Sequence, residues 1–481
     1  MTAKGNKALA SLSVVELGKQ LRLGSITSEK ITELCLERIS VFDGKLHSFL
    51  TVTEDIARQQ AASADAAFRE GRDLGPLQGI PYGLKDIFDV SGVITSCNSH
   101  VSIGASPAEK SCTLYRRLVT QGAVLLGKLN THELALGGPS SELPYPIARN
   151  PWNTDHFSGA SSSGSAVAIA ARLMPMSFGS DTSGSIRGPA SCCGVVGYKP
   201  TYGYISRAGV VPLSYSLDHI GPLARSVADC ALAAAAVAGQ DPDDPSSLNP
   251  VLPLYCDNGR GLACRTIGVV ENFLTPKTAM DMQIADAITE LIDLVERAGA
   301  IVRRITLPPF VEYDACGRAI MMAEAYAIHA EALAHTPLSF ARTTYQRIIQ
   351  GAFLSAKDYI WAQQSRLRLT AMFVEAMEGV DAMICPGSLF PPPRVDEFGG
   401  DWPPPPHLTA TRTILANVTG APALSLPIGL TKEGLPIGVQ VIGLPHQDSL
   451  TLAVASAIEH LVEFTSELPR AVRESGSPSH H

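Results

Sequence analysis

Gly179-Ser180-Asp181-Thr182-Ser183-Gly184-Ser185-Ile186-Arg187 is the stretch on which the reading of this chain turns. Its small residues let successive backbone N–H groups turn toward one point, and Ser185 closes the turn. Such a turn builds an oxyanion hole, often the largest single term in acyl-transfer catalysis. A serine hydroxyl is a weak nucleophile and needs a base. The rest of the chemistry must therefore come from elsewhere in the chain.

Upstream lies Ser158-Gly159-Ala160-Ser161-Ser162-Ser163-Gly164-Ser165, followed by the apolar run Ala166–Ala171. The small residues permit close backbone approach, with a helix beginning behind them. Alone, this segment also reads as a helix-capping loop. Further upstream is Gly79-Ile80-Pro81-Tyr82-Gly83-Leu84-Lys85-Asp86. A lysine in a Gly/Pro/apolar setting loses its ammonium on burial, and its pKa falls from ~10.4 toward the ~7–8 that suits a general base. Alone, it also reads as a surface lysine with a snorkelling stem.

Composition narrows the field. The 481 residues are 45% hydrophobic and 17% charged, with net charge −8, so a large core is affordable and a disordered chain is excluded. No Lys/Arg run marks a nucleic-acid or anionic-membrane surface. The ten cysteines include no C-x-x-C pair, which fits reduced thiols in a cytoplasmic protein. Met1–Leu23 contains no continuous apolar segment of the secretory kind, and the run at Ala231–Gly239 is far shorter than a bilayer span. Ser477-Pro478-Ser479-His480-His481 reads as an appended remnant.

Periodicity points to α/β. Ser28 is read as an N-cap before Ile31, Leu34, Cys35 and Ile39 at helical spacing. Ala123-Val124-Leu125-Leu126 reads as a buried strand. Thr266–Val270 predicts a strand, Ile284, Ile288, Leu291 and Val295 one face of a helix ending at Gly299, and Ala300–Ile305 the next strand. The expected fold class is α/β: a single large domain, a mixed central β-sheet flanked by α-helices. Pro391–Pro393 and Pro403–Pro406 bracket an irregular surface loop.

Three other motifs fail. Gly122–Lys128 approaches a phosphate-binding loop, but Leu129 stands where Ser/Thr would hold magnesium. His132-Glu133 begins a zinc-protease pattern with no second histidine at the required spacing. No G-x-S-x-G elbow occurs.

Taken together, the three segments resemble the amidase signature family. The resemblance continues through Gly194–Gly203, Ser206-Arg207, Ser216–Pro222, Asn417–Pro427 and Gly434–Gly438. It implies an amidase domain over residues 1–476, with a signature core at about 79–222 and a variable specificity region at about 312–407. It implies a Ser–cis-Ser–Lys triad, with Lys85 as base, Ser161 as the bridging serine after a cis peptide, and Ser185 as nucleophile. The backbone N–H groups of Thr182, Ser183, Gly184 and Ser185 would hold the oxyanion. Asp181 and Arg187 would brace the loop, and Asn130, Glu133 and Leu136-Gly137-Gly138 would line the pocket.

This chain departs from the family pattern at Gly159-Ala160-Ser161-Ser162-Ser163-Gly164, where Gly-Gly-Ser-Ser-Gly-Gly is common, and at Ser183-Gly184-Ser185, where Gly-Gly-Ser is common. The three triad positions are kept. The implied function is hydrolysis of a small amide through an acyl-enzyme. Carbamate (urethane) or ester hydrolysis uses the same triad. A glutaminase component of a tRNA-dependent amidotransferase, and a non-catalytic binding protein on this fold, are the other readings. No cofactor or metal is implied. The expected partner is a small amide or carbamate, with no nucleic acid and no membrane, in a monomer or homodimer.

Overall fold

The computed structural model describes residues 9–102, 105–249, 261–274, 280–462, 464 and 468–473. The start of the N-terminal segment and Ser477–His481 lie outside them. Eleven strands form one sheet: β1 (Phe49–Val52), β2 (Pro81–Lys85), β3 (Val124–Leu129), β4 (Met176–Asp181), β5 (Val196–Lys199), β6 (His219–Ala224), β7 (Thr266–Val270), β8 (Ile301–Ile305), β9 (Ala382–Pro386), β10 (Ala423–Leu430) and β11 (Pro436–Ile442). Their spatial order is β1-β3-β2-β4-β6-β5-β10-β11-β9-β7-β8. β2 runs parallel to β3 and β4, and β7 parallel to β8 and β9; the other pairings are antiparallel. The sheet is therefore mixed, as expected, and helices flank it.

Every residue of β2, β3, β4 and β6 is buried. Strands covered on both faces read as apolar runs without alternation, which is why Ala123–Leu126 was legible as a strand. β7 has the expected bounds. The helix Met282–Arg297 turns Ile284, Ile288, Leu291 and Val295 inward, and Gly299 follows with φ +90°. One cap shifts by a residue. Thr27, not Ser28, is the N-cap, because Thr27 holds the extended conformation and its side chain accepts from Lys30 N–H. The Ser28 and Glu29 amides instead donate to the Asp65 carboxylate.

The fold brings distant segments together at the C-terminal ends of β2 and β4. β2 ends on Lys85 and β4 on Asp181, and these strands are direct neighbours in parallel register, Leu84 opposite Phe178. No helix among the described residues is long and apolar enough to cross a membrane. The nine described cysteines are free.

Candidate active site

Lys85 is fully buried. Its Nζ donates to Ser161 Oγ at 2.7 Å and to Ser180 Oγ at 2.8 Å. Burial pulls its pKa down to about 7, against the opposing attraction of Asp218 and Asp181. A solvated lysine at neutral pH is uncharged in only about one molecule in 10³, and burial here shifts that balance toward the uncharged amine.

Ser161 sits just before the helix Ser163–Ala170. The Ala160–Ser161 peptide is cis. Ser161 C=O accepts from His132 N–H at 3.1 Å, and the next amide, Ser162 N–H, donates to Ser185 C=O at 3.1 Å. That bond stitches the two serine segments together. No hydrogen bond joins the two hydroxyls of Ser161 and Ser185 among the described residues. Gly159 permits the approach: at φ +84°, a Cβ there would lie 2.4 Å from Pro189 Cα.

The Asp181 carboxylate is the hub of the Ser185 loop. It accepts from Gly184 N–H (2.8 Å), Ile186 N–H (3.1 Å), Arg187 Nε (3.0 Å) and Nη2 (2.9 Å), and Asn417 Nδ2 (2.9 Å). Arg187 also donates to Thr413 C=O, Gln440 Oε1 and Asn417 Oδ1. The Asp181–Arg187 pair is wholly buried. Burial alone would raise the Asp181 carboxyl, but the guanidinium and these donors hold it well below the usual carboxylate range. Asp181 and Arg187 thus tie the Ser185 loop to Thr413, Asn417 and Gln440.

The expectation for the oxyanion loop needs correcting at one residue. The Gly184 N–H is directed inward to Asp181, so it is taken by the brace. The amides of Thr182, Ser183 and Ser185 have no acceptor among the described residues. Gly184 is nonetheless required: at φ +122°, a Cβ would lie 2.2 Å from Thr413 Oγ1.

Ser161 and Ser185 open onto a cavity of ≈ 200 Å³. Leu136, Gly137 and Gly138 border it, with Phe157, Met321 and Ile414 as apolar wall. Asn130 and Glu133 do not border it. Asn130 Nδ2 donates to the carbonyls of His47 and Pro146, and Glu133 accepts from Ser99 Oγ and Ala341 N–H. Both are scaffold for the wall segment rather than part of it. The proline-bracketed loop proves to be the cavity's outer wall, contributing Pro392, Phe398, Trp402 and Leu408.

Sequence reasoning passed over the charged lining. Arg318, Asp314, Arg347 and Asp401 all border the cavity. Arg347 stacks over Trp402 at 4.1 Å and donates to Leu136 C=O. Burial and the nearby Arg318 push its pKa down. Nothing local in the sequence marks these residues. Gln440 was equally silent, whereas Asn417, which completes the brace with it, heads the Asn417–Pro427 stretch without a role read for it. No group of three or more metal-ligating side chains occurs among the described residues.

The sequence profile of the amidase family matches residues 30–452. The chain belongs to the amidase signature family. Among its relatives is a glutamyl-tRNA(Gln) amidotransferase subunit from Nostoc punctiforme, 35% identical over 95% of this chain and 99% of that protein. The native peptide amidase of Stenotrophomonas maltophilia superposes with a TM-score of 0.83 at 30% identity, covering 95% of this chain and 98% of that one. The corresponding glutamyl-tRNA(Gln) amidotransferase subunit from Thermotoga maritima superposes with a TM-score of 0.81 at 30% identity, covering 96% and 98%. Membership makes the chain an amidase-family hydrolase of C–N bonds.

Proposed function

We propose that the protein hydrolyses a small linear amide through an acyl-enzyme on Ser185. Neutral Lys85 takes the proton of Ser161 as Ser161 takes that of Ser185, and Ser185 Oγ attacks the amide carbonyl. The free amides of the Thr182–Ser185 loop stabilise the oxyanion. The proton returns through Ser161 to the departing amine, and water then releases the acid with the same relay reversed. The observation that carries this reading is the fully buried Lys85 amine, poised near neutrality and bonded to Ser161. Ser185 stands exposed to the cavity that Ser161 also borders.

The same acylation chemistry extends to carbamates and esters. A panel of anilides, aliphatic amides, carbamates, ureas and esters, run on wild type and Lys85→Ala, tests it. Hydrolysis should fall by about 10²-fold or more in Lys85→Ala. Labelling by a fluorophosphonate should vanish in Ser185→Ala. A wild type that neither labels nor hydrolyses would favour a binding protein instead.

A second reading is supported by the amidotransferase relatives and by Arg347. Its guanidinium borders the cavity, bonded to a carbonyl and a ring. A substrate carboxylate, such as that of glutamine, would complete it. Release of ammonia from glutamine, by the chain alone or with amidotransferase partner proteins, is the expected result. Failure in both settings removes this reading and leaves the first.

A further inference from the structure

A second cavity, of ≈ 650 Å³, is bordered by Ser180, Asp218, Arg207, Ala208, Val210 and Arg366. Ala135 and Leu213 border both cavities and so form the partition between them. Lys85 is 0% exposed and Ser161 1%, whereas Ser185 is 8% and Ser180 4% exposed. The base is thus closed off, and the serines beside it border different cavities, Ser161 and Ser185 the first and Ser180 the second. Ser180 Oγ accepts from Lys85 Nζ. The Ser180 O–H itself has no acceptor among the described residues, and the residue borders the second cavity.

A neutral amine has one lone pair. With one N–H given to Ser180, that lone pair is free for the Ser161 O–H. Ser180 therefore orients the base as well as linking it to the second cavity.

We propose that Ser180 passes the proton of the Lys85 ammonium to solvent in the second cavity while substrate or an acyl group occupies the first. The proposal rests on the triad reading above. The step balances as follows. The Lys85 ammonium gives a proton to Ser180 Oγ as the Ser180 O–H proton passes to a water, leaving neutral Lys85, an unchanged serine and a hydronium ion.

The route matters only when the leaving group does not take the proton. An amide's leaving amine recovers it from Lys85 through Ser161, so no discharge is needed. A nitrophenyl ester leaves as nitrophenolate, and the proton taken from Ser185 stays on Lys85. Lys85 must then lose it before it can activate the deacylating water.

The test compares p-nitrophenyl butyrate with butyryl-p-nitroanilide, which form the same acyl-enzyme. In Ser180→Ala, both substrates lose whatever orientation of Lys85 contributes, and kcat for the ester should fall about tenfold or more beyond the loss seen with the anilide, its KM falling alongside because the slowed step follows acylation. Ser180→Thr, which keeps the hydroxyl, should restore ester turnover. Ala208→Trp, which narrows the second cavity from a residue outside the Lys85 hydrogen bonds, should show the same ester-selective loss. Added imidazole, as a small proton acceptor, should raise ester turnover in Ser180→Ala.

Equal losses on both substrates, or ester turnover indifferent to Ser180→Ala and Ala208→Trp, would overturn the proposal and leave Ser180 a positioning residue. Turnover surviving in Ser185→Ala would instead overturn the triad reading itself.

Discussion

The loop that carries Ser185 and the loop that walls the cavity beside it are held by opposite means. Asp181, Arg187, Asn417 and Gln440 form a dry network in which each charge is matched. The outer wall is tied by exposed ion pairs, Arg342 to Asp401 at 2.8 Å and Arg394 to Asp396 at 2.7 Å, and by the half-buried stack of Arg347 over Trp402. Buried ion pairs cost several kcal/mol to break because a naked charge is left behind, whereas exposed ones are worth ~0–1 kcal/mol. The Ser185 loop is thereby held by buried charge pairing, while the cavity's outer wall rests on contacts that tolerate change.

The sharpest way to break this contrast is Arg187→Met. It leaves Asp181 buried without its counter-charge, so stability should drop by about 3–5 kcal/mol in urea denaturation, with activity lost. A change below about 1 kcal/mol would make the two loops alike. Gly184→Ala forces a Cβ against Thr413 and into a left-handed backbone. About 1–3 kcal/mol should be lost, and the fluorophosphonate labelling rate should fall with it.

Trp402→Ala removes the ring under Arg347. About 1 kcal/mol or less of stability is expected to go, with the effect falling on KM rather than kcat. A kcat loss with KM unchanged would show that the outer wall shapes the chemistry as well. The smallest effect belongs to Arg342→Gln, whose pair is exposed by more than half on both sides. Thermal unfolding should register ~0.5 kcal/mol or less.

What was legible in the sequence follows the same division. Lys85, Ser161 and Ser185 lie in short segments whose small residues and setting announce them. The helix Met282–Arg297 and its flanking strands β7 and β8 show plain periodicity. Gln440 carries no such mark, and the stretch headed by Asn417 does not reveal its contact, because the two reach Arg187 from 253 and 230 positions away, through pairing of β10 with β5 and β11. The inward Gly184 amide depends on where Asp181 points, which composition does not encode. Arg347 reads as surface charge until the fold lays its helix, Arg342–Ile348, along the cavity. Thr27 and Ser28 are both good caps, and only the carboxylate of Asp65 on the next helix separates them.

The central claim is that Lys85 works as an uncharged amine. It is tested most directly by the rate at which a fluorophosphonate labels Ser185 as a function of pH. Because the reactive form has lost a proton, the rate should climb about tenfold per pH unit in acid and level off above about 7. A limb displaced to the ordinary lysine range near pH ~10.4, or wild-type labelling by Lys85→Ala between pH ~6 and ~9, would contradict it.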